Sequence, residues 1–403
     1  MLSRISRSWR IYPRQFWLMF WGMIISTIGS SMIWPFLMIY VSDKLKLPLT
    51  TVATLMSINA AASLISSFIA GPIIDRLGRK WVMVISLIVS ALNNILLSSA
   101  STLPVFAVLM AISGAANPLY RVGADAMMAD LLPSEQRPDG YSLLRMANNI
   151  GVAIGPAIGG FIAILSYSIA FYIAAAGLMI YALLIGFFAA ETLPAKAVQS
   201  TAHSTRFGGY GHILRDSPFM LFTGAFTFTS ISASIVWILL SVYTKHNFGI
   251  PENMYGWIPT TNAIMVVAFQ YVVTQFTKKR KILHMMTIGA LFYALGSGSI
   301  ALGNNFWAFW LSMVILTIGE LIISPTATTF VADLAPADMR GRYMSIYGLT
   351  WGVASGIGPV IGGVLNDNIG PLWIWVGAGL AGLVSVAGFL LLSRQAARKT
   401  QNA

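Results

Sequence analysis

Cysteine is absent from this 403-residue chain, histidine occurs four times, and charged residues make up only 9% of it. Without Cys there is no disulfide framework, thiolate metal site or thiol nucleophile. The four histidines stand apart, none at the spacing of a metal-ligand pair, so no metal centre is expected. No GxxxxGK[S/T] loop occurs and no soluble domain could house one, which disfavours an ATP-driven pump, and no catalytic constellation or cofactor cradle is visible. An enzyme is therefore not expected. The scarcity of charge excludes most: soluble domains carry about 25% charged residues, and a chain with about a third of that has no surface with which to dissolve.

What the chain has instead is apolar length: 57% of it is hydrophobic and the mean hydropathy is +0.74. A membrane-crossing helix needs about 20 predominantly apolar residues. Twelve such runs can be marked: 15–41, 50–74, 81–99, 104–132, 141–165, 168–190, 218–244, 254–276, 282–302, 305–332, 343–366 and 371–393. The first is too long for a signal-peptide core and no small-residue cleavage site follows it. The connections are short except 191–217, which holds Pro194, Gly208, Gly209 and Gly211. The spacing predicts an all-α integral membrane protein: six helices in 1–190, a linker over 191–217, and six more in 218–403.

Charge placement tests this topology. With both termini on the cytoplasmic side, 20 of the 25 Lys and Arg residues fall in cytoplasmic segments. Lys44, Lys46 and Lys245 fall on the opposite side, and Arg121 and Arg145 lie inside spans. The positive-inside rule demands this bias. It also accounts for the net charge of +12 without a nucleic-acid partner, because the cations sit in short clusters rather than on one continuous face. Absent Asn-x-Ser/Thr sites and short external loops point to a bacterial plasma membrane.

An internal repeat is visible at a displacement of 203. Ala129-Asp130-Leu131 falls on Ala332-Asp333-Leu334, and Gly155-Pro156-Ala157-Ile158-Gly159-Gly160 falls on Gly358-Pro359-Val360-Ile361-Gly362-Gly363; across 129–160, twelve of thirty-two positions are identical without a gap. An even number of helices per half implies parallel repeats about an axis along the membrane normal. Duplicated halves are a transporter architecture, with the substrate site expected between them near the midplane.

Between the second and third spans runs Gly71-Pro72-Ile73-Ile74-Asp75-Arg76-Leu77-Gly78-Arg79-Lys80, whose glycines are expected to permit a tight turn at the membrane surface. This run resembles the signature loop of the major facilitator superfamily, G-x-x-x-D-R-x-G-R-R/K, at every specified position. With the twelve spans and duplicated halves, the resemblance covers essentially the whole chain. It implies the major facilitator fold and a conformational latch formed by Gly71, Asp75, Arg76, Gly78, Arg79 and Lys80. The matching stretch of the second half, Thr277-Lys278-Lys279-Arg280-Lys281, keeps the cations and lacks the carboxylate, so the latch is expected to be asymmetric. Asp130 and Asp333, at the cytoplasmic ends of the fourth and tenth spans, read as latch or cap residues.

Gly151, Gly155, Pro156, Gly159 and Gly160 resemble the fifth-helix motif of the drug/proton antiporter branch. Small residues let helix backbones approach and proline bends a helix. Gly358, Pro359, Gly362 and Gly363 repeat it on the eleventh span. One arginine of that branch is missing: Met110 stands four residues before Gly114.

Ionisable groups inside the membrane are costly and mark functional sites by default. Four lie well inside the spans. Asp125 and Arg145 sit at similar depth on adjacent antiparallel helices, where they are expected to pair, and Arg121 is one turn from Asp125. Glu320 has no cation near it on its own helix and is the candidate proton carrier, with Asp125 as a second. The segment Gly319-Glu320-Leu321-Ile322-x-x-Pro325 resembles the tenth-helix acidic segment of some multidrug/proton antiporters. Arg121, Arg145, Asn148, Asn149, Trp237, Asn262 and Gln270 are candidates for a substrate cavity.

These observations favour a monomeric secondary transporter in a lipid bilayer that moves a lipophilic or amphipathic small molecule against protons by alternating access. Few fixed charges around an apolar cavity suit bulky solutes held by many weak contacts. Two alternatives stand beside it: carriage of an anionic metabolite or sugar derivative bound by Arg121 and Arg145, and a sensor or scaffold that moves nothing.

Overall fold

A computed structural model describes residues 12–193, 210–336 and 339–401. Most of the 191–217 linker therefore lies outside the described residues, as do Arg4, Arg7 and Arg10 of the basic N-terminus. The described residues form helices: α1 (Arg14–Leu45), α2 (Leu49–Leu77), α3 (Arg79–Ser99), α4 (Leu103–Leu131), α5 (Arg137–Leu165) and α6 (Tyr167–Phe188), then α7 (Ser217–Phe248), α8 (Trp257–Thr277), α9 (Ile282–Ser299), α10 (Phe306–Leu334), α11 (Arg340–Asn368) and α12 (Trp373–Gln401). One-turn helices Tyr210–Ile213 and Glu252–Tyr255 precede α7 and α8.

Local chemistry sets the ends. The Asp216 carboxylate accepts the Phe219 amide at 3.2 Å and Pro218 occupies the first turn, so α7 starts with a side-chain cap. Such a cap is worth about 1 kcal/mol. At its other end Gly249 takes φ +64°, the left-handed conformation that glycine adopts without a Cβ clash. Asn305 caps α10 in the same way, accepting the Ala308 amide at 3.0 Å.

Eleven of the described helices are long and apolar enough to cross a membrane. The remaining long one, α8, reaches about 32 Å at 1.5 Å per residue but carries Thr260, Thr261, Asn262, Gln270, Thr274 and Gln275. Its shortfall is polarity, not length. The first span also departs from a single straight run: α1 passes through a 3-10 turn at Trp34–Phe36, around Pro35.

The chain packs as two compact units. One takes in the described residues up to Phe36 and those of Ala61–Ser204; the other takes in Leu37–Ala60 and the described residues from Thr205 onward. The second unit thus includes a hairpin that the sequence places in the first half. Within the first unit α1 packs on α5 and α6, and α3 on α4 and α6; within the second, α7 packs on α11 and α12, and α9 on α10 and α12. These are the same pairs shifted by six helices, which is the 203-residue repeat expressed in packing. The first unit's core is built from Phe16, Met19 and Phe20 of α1, Met83 and Leu87 of α3, Met127 and Met128 of α4, and Tyr181 and Ile185 of α6.

The repeated glycine motifs explain the α1–α5 and α7–α11 contacts. A Cβ on Gly159 would lie 2.2 Å from the Met32 carbonyl oxygen, and one on Gly155 1.9 Å from Ser31 Oγ. Ser31 donates to the Gly151 carbonyl at 2.9 Å. In the second unit a Cβ on Gly358 would meet Ser234 Oγ at 2.2 Å, and Ser234 donates to the Ala354 carbonyl at 2.8 Å. Ser31 and Ser234, like Gly151 and Ala354, are 203 positions apart, so the two halves share one interhelical hydrogen bond. Gly160 and Pro359 are buried in the same helices, which continue through Pro156 and Pro359.

Candidate functional site

Two clusters of polar side chains stand out, one in each unit. The first surrounds Arg79, the first residue of α3, which is 8% exposed. Its guanidinium lies 3.1 Å from the Asp130 carboxylate at the end of α4 and 3.3 Å from Asp75 at the end of α2. Three of the residues that the sequence assigns to a latch therefore meet at one cation. Asp75 itself remains largely exposed, as does Arg76, while Lys80 is half-buried.

Sequence reasoning missed the fourth member, Glu191. Its carboxylate accepts the backbone amides of Arg79 at 2.9 Å and Lys80 at 3.1 Å, together with those of Thr192 and Leu193 at 2.8 and 3.0 Å. The opening amides of a helix lack intrahelical partners, and a carboxylate there also meets the positive end of the helix dipole. Gly78, just before α3, has φ +92°, and a Cβ on it would lie 2.3 Å from Glu191 Oε2. Gly78 is therefore the turning glycine of the signature run. Gly71 is not: it lies inside α2 with nothing within 4 Å of a Cβ position. Thr192 donates to Asp130 at 3.1 Å, and Gln15 holds both backbone groups of Ala190, at 2.9 and 3.1 Å.

The repeat does not carry this cluster over. At the displacement of 203, Lys278 stands for Asp75, Lys281 for Gly78 and Arg394 for Glu191. Asp333, the counterpart of Asp130, is exposed and makes no ion pair among the described residues. Loss of the carboxylates on one side makes the two units electrostatically different.

The second cluster lies around Glu320, half-buried in the middle of α10. Asn262 of α8, 6% exposed, donates from its amide nitrogen to Glu320 Oε2 at 2.8 Å and to Thr317 Oγ1 at 2.9 Å. Gly319 brings α10 against α9, since a Cβ there would lie 2.7 Å from the Gly289 carbonyl oxygen and 3.0 Å from the Tyr293 amide. That contact fixes the register of the helix that bears the acid. Gln270, one of the cavity candidates, donates to the Leu321 carbonyl at 3.1 Å. This is the carbonyl that Pro325, lacking an N–H, leaves without its helical partner. The Gln270 amide thus serves the interior of a helix pair.

The expected pair of Asp125 and Arg145 is not formed: neither makes an ion pair within 4 Å among the described residues, and both are exposed, as is Arg121. Equal depth on neighbouring helices does not fix the direction in which a side chain leaves its axis. Asn148 is exposed, with Thr27 donating to its side-chain oxygen at 3.4 Å; Asn149 and Trp237 are half-buried.

A duplicated array of apolar helices carrying a half-buried acid and a charged loop defines a multi-pass membrane carrier, and the comparisons with known proteins specify which. The Major Facilitator Superfamily profile matches residues 19–238 and 225–403. The chain belongs to that family and is a secondary transporter rather than an enzyme. Similar proteins include the MFS-type transporter YttB of Bacillus subtilis, 26% identical over 95% of this chain and 96% of that one. The quinolone resistance protein NorA of Staphylococcus aureus is 25% identical over 93% and 96%, and a Na(+), Li(+), K(+)/H(+) antiporter of Planococcus maritimus 25% over 90% and 91%. Among solved structures, a POT family transporter with bound 5-aminolevulinic acid superposes with a TM-score of 0.78 at 20% identity, covering 95% and 96% of the two chains. The nucleoside transporter NupG superposes at 0.80 and 15% identity, covering 93% and 99%. These likenesses establish the fold.

Proposed function

We propose that this transporter exports a lipophilic or amphipathic small molecule in exchange for protons, by alternating access across a bacterial plasma membrane, with both termini cytoplasmic. The observation that carries the reading is Glu320, a half-buried carboxylate in the middle of an apolar helix, to which the amide of Asn262 on α8 donates. A carboxylate at that depth is retained at a cost, and it suits a group that takes up a proton in one state and gives it up in another. The names of two relatives agree with this chemistry, one a quinolone resistance protein and the other a cation/proton antiporter. The Asp75–Arg79–Asp130 cluster serves as the latch that biases one state of the carrier. A second reading rests on Arg121 and Arg145: two exposed arginines that make no ion pair within 4 Å among the described residues can bind an anionic solute.

The test is transport in proteoliposomes under an imposed pH gradient, with a panel of lipophilic cations, neutral drugs and anionic metabolites. Glu320→Gln keeps the shape and hydrogen bonding of the neutral acid and removes its titration. It should abolish gradient-driven transport while leaving binding and energy-independent exchange largely intact. Full gradient-driven transport in that variant would remove Glu320 from the mechanism, and transport confined to anions would favour the arginine reading.

A further inference from the structure

The hairpin Leu37–Ala60, made of the second part of α1 and the start of α2, is continuous in chain with the first unit through Phe36 and Ala61, yet it packs as part of the second unit. Polar ties hold it there. Asp367, at the end of α11, accepts the amides of Leu49 at 3.2 Å and Thr50 at 2.8 Å and the Thr50 hydroxyl at 2.7 Å. Leu49 and Thr50 open α2, so their amides have no partner within it. One turn back on α11, a Cβ on Gly363 would lie 2.7 Å from Thr50 Cα, so the two backbones touch. Two turns further back, Ser57 donates to the Gly356 carbonyl, and a Cβ on Gly356 would lie 3.3 Å from that of Ala60. At the hairpin's other arm, Asp43 bonds His246 of α7 at 2.8 Å. Asp43 and His246 are 203 positions apart, so equivalent positions of the two repeats meet one another.

We propose that Asp367 is the latch of a clasp on the face opposite the Gly71–Lys80 loop, and that this clasp must release before the carrier opens there. Asp367 caps a helix preceded by Pro48, whose side chain has no acceptor to offer, and two amides and one hydroxyl meet its single carboxylate, so it is the residue whose loss frees most of the contact at once. Glu191 caps α3 at the other membrane face by the same chemistry. There, however, both partners lie in one run of the first unit, whereas Asp367 holds a segment that the chain delivers from elsewhere. The inference rests on the chain being a transporter that opens in turn to its two sides, and on neither the proton nor the identity of the solute.

The Cys-free chain permits a direct test. Ala53, fully buried between Thr50 and Ser57, is replaced by Cys, and its labelling by a hydrophilic maleimide is timed in purified, monodisperse protein. In this background Asp367→Ala should speed labelling about fivefold or more, the population change that losing a few buried hydrogen bonds implies. Thr50→Val, which removes the hydroxyl and leaves the amides bonded, should give a smaller rise. In a separate chain, Ala60→Cys with Gly356→Cys places two Cβ atoms within reach of a disulfide. Oxidation should stop transport and reductant should restore it. Unchanged labelling in folded Asp367→Ala overturns the proposal. If that variant does not fold, parental labelling in both Asp367→Asn and Thr50→Val does the same. None of the labelling experiments uses a pH gradient or a substrate, so failure of the export reading would leave their outcome standing.

Discussion

The carboxylate of Glu191 accepts the backbone amide of Arg79 at 2.9 Å, and the residue before Arg79 is a glycine at φ +92°. The two facts belong together. A side chain at position 78 would be strained by the backbone and would collide with the carboxylate that caps α3. Gly78→Ala should therefore destabilise the protein by about 1–3 kcal/mol, and Glu191→Ala by about 1 kcal/mol. Because only the collision depends on Glu191, the double variant should lose less than the two single losses together. Thermal unfolding of the four proteins in detergent measures the cycle; strictly additive losses would show that the carboxylate and the glycine act separately.

The second prediction sets two glycines of recognisable motifs against each other. Gly159 has the Met32 backbone against it, with carbonyl oxygen, Cα and C within 2.8 Å of a Cβ position. Backbone cannot swing aside, so Gly159→Ala forces α1 and α5 apart at a cost of about 1–3 kcal/mol. Gly71 has open space around it and lies inside α2. There alanine should be neutral or stabilising by up to about 1 kcal/mol, the difference in helix propensity. Gly159→Ala should lower the melting temperature, whereas Gly71→Ala should leave it unchanged or raise it. A loss of stability in Gly71→Ala equal to that in Gly159→Ala would contradict the packing argument.

Much of this was legible in the sequence because it is periodic or local. Apolar runs of membrane length give the helices, the register of 203 gives the repeat, and the signature run sets Asp75 and Arg79 four positions apart across a glycine turn. What was illegible depends on residues brought together from far apart. Glu191 lies 112 positions from Arg79, and Asp367 lies 317 from Thr50. A remote carboxylate capping a helix leaves no spacing pattern at either end. The pairing of Asp125 with Arg145 failed for a related reason: depth along a helix follows from sequence, but azimuth between helices does not. Gln270 is a middle case. Pro325 announces a freed carbonyl at Leu321, and only the fold shows which donor reaches it.

Topology offers the third prediction, since the Lys and Arg distribution places the α4–α5 connection on the cytoplasmic side and the α9–α10 connection on the other. Ser134 and Asn304 are exposed residues of those connections. Single cysteines placed there in the Cys-free chain should react with an impermeant maleimide from opposite sides of inverted and right-side-out vesicles. Reaction of both from one side would break the alternation and with it the assignment of cytoplasmic termini.

The last prediction separates two roles for Asn262. As a cavity residue it would touch the solute; its amide donates to Glu320 and Thr317 at once, which suits a positioning residue for the proposed proton carrier. The two roles diverge in a double-variant comparison. If Asn262 acts through Glu320, Asn262→Ala should shift the pH profile of gradient-driven transport and leave solute affinity within about twofold, since the two interhelical hydrogen bonds lost, which average about 0.6 kcal/mol each in a membrane protein, weigh on helix packing and not on a contact with the solute. In the Glu320→Gln background the same substitution should leave energy-independent exchange unchanged, because the group it positions no longer titrates. A direct ligand behaves differently: its removal weakens binding in both backgrounds and leaves the pH profile in place. Equilibrium binding and exchange rates in the four proteins, measured across pH 5.5–8.5 (about one unit either side of neutrality and a half more), decide between them. Equal loss of affinity with and without the Glu320 carboxyl would return Asn262 to the substrate.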